Sequence, residues 1–126
     1  MNFPTELTYT KEHEWIRVEG NTAVIGITDF AQGELGDVIY LDIHAGKDVK
    51  AGESCGSIEA VKTVSDVYSP VSGKITEVNS ALNDAPETVN KDPYAGGWLL
   101  KIEMSDPGEV KTHTMAVGDY KALIGQ

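Results

Sequence analysis

Apolar and polar residues alternate along most of this chain with a period of two, in runs too short for amphipathic helices. Leu7-Thr8-Tyr9 opens one such run, and Glu12-His13-Glu14-Trp15-Ile16-Arg17-Val18-Glu19 continues it. Gly20-Asn21 supplies a turn and Thr22 to Ile27 a partner, so the spacing predicts a hairpin. Thr28 is a helix N-cap candidate, Phe30 and Leu35 fall near one face, and Gly36 can stop the helix they define. Asp37 to Ile43 reads as a strand with an apolar centre, and His44 to Glu53 as a surface loop rich in charge and glycine.

Two runs of β-formers follow, Ser54 to Ala60 and Thr63 to Tyr68, meeting at a turn that holds Lys62. Beyond Pro70, Ser72-Gly73 marks a turn and Lys74 to Val78 alternates like a half-buried strand. Residues 79–97 form a long connection whose Leu82, Val89 and Tyr94 are available to pack it. Trp98 to Met104 reads as the last strand, Asp106-Pro107-Gly108 breaks it, and Val117 to Leu123 is expected to be a short helix. Short strands with Gly and Pro turns, and helices confined to the joints and the C-terminal end, predict a single all-β domain over residues 1–126, a sandwich or flattened barrel.

The Lys62 turn lacks the Asn-Gly or Gly-Gly pair that favours a tight hairpin, so neighbouring structure must hold the corner. No carboxylate within the turn ties the amine down. Most such lysines only aid solubility, and it is the surrounding sequence that singles this one out.

Composition removes several function classes. Ten basic against twenty acidic side chains leave a net charge of −10, which repels phosphate backbones and anionic lipid surfaces, so neither nucleic acid nor membrane is an expected partner. No long apolar run or leader-like segment opens the chain, so it is expected in the bacterial cytoplasm. The one cysteine, Cys55, lies within a strand-like run and reads as a small packed hydrophobe. His13, His44 and His113 are dispersed, with no metal-ligand spacing among them.

Four segments together resemble the H-protein family of the glycine cleavage system: HEWI at 13–16, IGITDFAQGELGD at 25–37, GSIEAVKTVSDVYSPVSGK at 56–74 and DPYAGGWLLKIE at 92–103. The likeness runs from about Tyr9 to Leu123. Gly46 and Gly73 stand where the wider lipoyl-domain class places glycines, while Ala60 replaces the more usual Ser before the lysine. The resemblance implies a barrel-sandwich hybrid of the lipoyl and biotinyl type, with lipoate joined covalently to Lys62 on a hairpin spanning about 54–70.

It also implies a monomeric, non-catalytic carrier that visits three enzymes. Glycine decarboxylase (P-protein) loads an aminomethyl group, aminomethyltransferase (T-protein) removes it with release of ammonia, and dihydrolipoamide dehydrogenase (L-protein) reoxidises the dithiol. Glu59, three residues before Lys62, is a candidate recognition handle for the lipoate-attaching enzyme. Glu12, Glu14, Glu34 and Asp66 are candidates for an acidic groove that shelters the loaded arm, since carboxylates keep the cargo amine protonated and unable to expel sulfur.

Two related carriers compete with this reading. A biotinyl domain usually has Met on both sides of its lysine, where Val61 and Thr63 stand here. A relay that hands lipoyl groups to other acceptors would use the same arm. A small enzyme built on Cys55 lacks a base at useful spacing, and a passive acidic adaptor leaves the lysine turn unexplained.

Overall fold

In the computed structural model, which describes all 126 residues, nine strands form two antiparallel sheets. The larger has the order β1-β2-β3-β9-β8-β5, built from β1 (Thr8–Tyr9), β2 (Glu14–Glu19), β3 (Thr22–Ile27), β5 (Asp48–Val49), β8 (Gly73–Val78) and β9 (Leu100–Met104). The smaller has the order β4-β6-β7, from β4 (Val38–Asp42), β6 (Ser54–Ala60) and β7 (Val64–Tyr68). The all-β sandwich expected from the sequence is the architecture observed.

The hydrophobic alternation becomes two cores. Twenty buried residues, most of them from the two sheets, form the main one, among them Ile25, Ile58, Val67, Ile75, Leu100 and Ile102. On the other face of the large sheet, Phe3, Leu7, Tyr9, Trp15 and Val24 close over Tyr120 of α4 (Val117–Leu123). Tyr9 and Tyr120 stack with centroids 4.9 Å apart. The Trp15 indole N–H donates to the Pro93 carbonyl at 2.9 Å, and Gly26 leaves room for the ring, because a methyl there would lie 2.5 Å from it.

Helix α1 (Asp29–Leu35) forms where its end signals predict. Thr28 Oγ1 accepts from the Ala31 N–H, and Gly36 ends the helix at φ +76°, a region that favours glycine. Four elements depart from the sequence reading. The loop after His44 contains the two-residue strand β5 on the edge of the large sheet. The 79–97 connection is not featureless: it holds a 3-10 turn (Ser80–Asn83) and α2 (Thr88–Lys91), with Leu82 and Val89 buried in the main core. Asn79 folds it back, donating to the carbonyls of Gly96 and Trp98. Pro107-Gly108 ends β9 as expected but also starts α3 (Gly108–His113), because proline without an N–H suits a helix's first turn. No helix is long and apolar enough to cross a membrane.

Gly73, one of the two class-position glycines, marks a close approach between β8 and β9. A methyl on it would fall 2.0 Å from the Glu103 carbonyl oxygen, a backbone atom that cannot move alone. Gly73→Ala is therefore expected to cost about 3 kcal/mol or more, read as a lowered denaturant midpoint with an unchanged slope.

Candidate functional site

Strands β6 and β7 pair with Ser57 opposite Asp66, Ile58 opposite Ser65 and Glu59 opposite Val64, leaving Val61 and Lys62 at the tip. The corner is closed by the Ala60 N–H donating to the Thr63 carbonyl at 2.8 Å. It is also anchored sideways, since the Val61 N–H donates to the Asp37 carbonyl at 3.0 Å. A turn without glycine thus gets its stability from the α1–β4 junction as well as from its own strands.

Lys62 is exposed and takes part in none of the three ion pairs of the chain. Its surroundings are unusually apolar for a surface. Val61 (71 % exposed), Val64 (62 %), Tyr40 (54 %) and Ile39 (51 %) all lie on the small sheet or its tip. Glu59 is exposed on the outer face, in one cross-strand row with Tyr40 and Val64.

Beside the hairpin runs a cleft of about 350 Å³ between α1 and the small sheet. The segment before β2 supplies Glu12 and His13, the start of β2 supplies Glu14, α1 supplies Phe30, Ala31, Glu34 and Leu35, and the hairpin supplies Ile58, Ser65, Asp66 and Val67. All four carboxylates singled out from the sequence line this one cleft. Glu12, Glu34 and Asp66 are exposed, whereas Glu14 is 2 % exposed.

Glu14 is held from two directions. The Thr10 hydroxyl donates to Oε1 at 2.6 Å, and the Tyr68 N–H donates to Oε2 at 3.1 Å. Burial pushes its pKa up to about 7; the hydrogen bonds from Thr10 and Tyr68 oppose that, and the nearby Glu12 charge adds to it. His13, at φ +71°, packs its ring 5.0 Å from Phe30, and Nδ1 lies 2.9 Å from the Tyr120 hydroxyl. That hydroxyl is also 2.8 Å from Thr28 Oγ1. Burial holds the His13 pKa below its usual value despite Glu12 and Glu34, so the ring is neutral at neutral pH.

Sequence reasoning does not single out Thr10, Tyr68 or Asn90, because their roles arise only from tertiary contacts. The Asn90 side-chain amide donates to the Gly36 carbonyl at 2.8 Å and to Gln32 Oε1, while its oxygen accepts from the Val38 N–H at 3.0 Å. One side chain of α2 thereby fixes the junction on which the hairpin tip rests. Cys55 is buried, with Sγ 3.3 Å from the Val67 carbonyl and its thiol pKa pushed up to about 12 mainly by burial. It is the packed hydrophobe its sequence context predicts.

Comparison with known proteins bears on this arrangement. The family model described as glycine cleavage H-protein matches residues 7–126. The chain is 47 % identical to the glycine cleavage system H protein of Staphylococcus haemolyticus over the whole of both chains. It is 54 % identical to that of Symbiobacterium thermophilum over 86 % of each. The crystal structure of the H protein from Mycobacterium marinum superposes with a TM-score of 0.89 at 37 % identity, covering 98 % of this chain and all of that one. The chain belongs to the glycine cleavage H-protein family, whose members are non-catalytic lipoyl carriers of the glycine cleavage system.

Proposed function

We propose that Lys62 is the residue of this carrier to which lipoate is joined, as an amide at Nζ, and that the adjoining cleft receives the loaded arm. The observation that carries the reading is the juxtaposition of an exposed, unpaired lysine at a hairpin tip with a cleft lined by four carboxylates. The residues fit the group. The amine is free to react, its stem can lengthen an arm, and the cleft offers apolar wall from Phe30, Leu35 and Ile58 beside the acids. When bound, the lipoyl group supplies a strained dithiolane that accepts and releases the one-carbon amine cargo.

The chain's own residues shelter that cargo. An ammonium entering the cleft loses water, which alone would favour its neutral form, and the carboxylates of Glu14, Glu12, Glu34 and Asp66 oppose this. Glu14, poised near neutrality, is the one whose charge the cargo can change. A cation beside it lowers its pKa, and by reciprocity its carboxylate raises that of the amine. Apolar side chains around Lys62 and the exposed Glu59 provide the surface on which the lipoate-attaching enzyme distinguishes this lysine from Lys47, Lys50 and Lys74. The decarboxylase, the aminomethyltransferase and the dihydrolipoamide dehydrogenase are its expected partners in turn, and tethering delivers the cargo at high effective concentration. The chain is expected to serve as a cytoplasmic monomer.

Three outcomes are expected. Protein from lipoate-replete cells gains the mass of one lipoyl group, Lys62→Arg gains none, and Glu59→Ala gains it more slowly with the attaching enzyme in vitro. Isolated loaded carrier with Glu14→Gln plus Asp66→Asn releases formaldehyde and ammonia about tenfold faster than the parent, from loss of two charges near the amine. The third concerns stability. The folded pKa of Glu14 exceeds the unfolded value of 4.5, so this group's contribution is fully present below pH 4.5 and is lost as pH rises through about 7. Glu14→Gln is neutral throughout, so thermal melts should show it gaining on the parent between pH 5 and pH 8, by up to about 3 kcal/mol.

A further inference from the structure

The hairpin tip does not project freely. Besides the Val61 bond to Asp37, the Lys62 stem lies across Gly36 at the C-terminal end of α1. A methyl built on Gly36 would stand 3.0 Å from Cε, 3.6 Å from Nζ and 3.8 Å from Cδ of Lys62. Carbon atoms in ordinary contact sit about 3.5–4.0 Å apart, so a methyl at position 36 makes the stem shift off this contact, and the φ of +76° there also strains any residue other than glycine. Gly36 itself cannot drift, because its N–H donates to the Gln32 carbonyl and its own carbonyl accepts from Asn90.

We infer that the Gly36–Asp37 junction, braced by Asn90, is a seat for the stem of Lys62 that directs whatever the lysine carries toward the cleft. The direction follows from what adjoins the seat. Residues 34 and 35, immediately before Gly36, line the cleft, and so do Ile58 and Ser65 on the strands that carry the tip. A stem crossing from the hairpin to the end of α1 bridges the two walls between which the cleft lies. A stem displaced outward would leave the arm to sample solvent instead. Gly36, Asp37 and Asn90 are thus positioning residues, which touch the lysine or its support and take no part in chemistry. This inference rests on the assignment of Lys62 and the cleft given above.

The test compares three variants with the parent. In Gly36→Ala a methyl meets the stem. In Asn90→Asp the acceptor for the Val38 N–H is kept but the donor to the Gly36 carbonyl is lost. Gly33→Ala is a control in the same helix, where a methyl meets nothing within 4 Å. In unmodified protein, an NMR cross-peak between Lys62 Hε and Gly36 Hα is expected in the parent and Gly33→Ala and is weakened in Asn90→Asp. In lipoylated, reduced protein, iodoacetamide should alkylate the arm's thiols more slowly than those of free dihydrolipoamide. That protection should fall about tenfold in Gly36→Ala and Asn90→Asp and persist in Gly33→Ala. A protected parent whose Gly36→Ala and Asn90→Asp forms are equally protected overturns the seat and leaves the cleft reading intact. A parent alkylated as fast as free dihydrolipoamide overturns the cleft reading, and the seat with it. Should Gly36→Ala fail to fold, Asn90→Asp alone decides.

Discussion

A carboxylate taken out of water ties the large sheet to the base of the Lys62 hairpin. The small sheet has only three strands, and the outer edge of β7 has no strand beside it. The Tyr68 N–H on that strand turns to Glu14 Oε2 instead, while Thr10 secures Oε1. Burying this acid has a cost, visible in its raised pKa, that an amide in the same place would largely avoid. Retaining an acid there makes sense if it also faces a cation that is present only part of the time. The same side chain then fastens the Lys62 hairpin at its base and lines the cleft next to it.

Much of this was open to reading because local signals agreed. β-Formers alternating around Gly20-Asn21 yield a hairpin whatever packs on them, and Thr28 and Gly36 bracket α1 by capping chemistry that acts within a few residues. The hairpin around Lys62 was equally visible as two strands. What held its corner was not, since Gly36-Asp37 and Asn90 come from two other places in the chain and meet it only after folding. The same limit explains the 79–97 connection. Its helices are four residues each, too short for a period to show, and they exist because Leu82 and Val89 fill gaps in the core. Pro107-Gly108 misled in part, because the residue pair that ends a strand is also well suited to begin a helix.

The four carboxylates are spread over more than fifty residues, from Glu12 to Asp66, and nothing in their spacing put them in one cleft. That grouping is a product of topology: the segment before β2, the end of α1 and strand β7 converge because Glu14 and the main core draw them together. The segments that carry the family resemblance touch one another in the fold. Trp15 of the first reaches the Pro93 carbonyl in the last, and Gly36 of the second takes the amide of Asn90 while underlying Lys62 of the third.

Tyr120 lies near the end of the chain, yet its hydroxyl touches both His13, which lines the cleft, and Thr28, which caps the helix forming one of its walls. A protein truncated shortly before it would still contain every strand segment and the lysine tip, but its second core would lose the ring it closes over. It would also lose the pin between His13 and Thr28. A contact made near the far end of the chain thereby helps set the shape of a cleft built from residues 12–67.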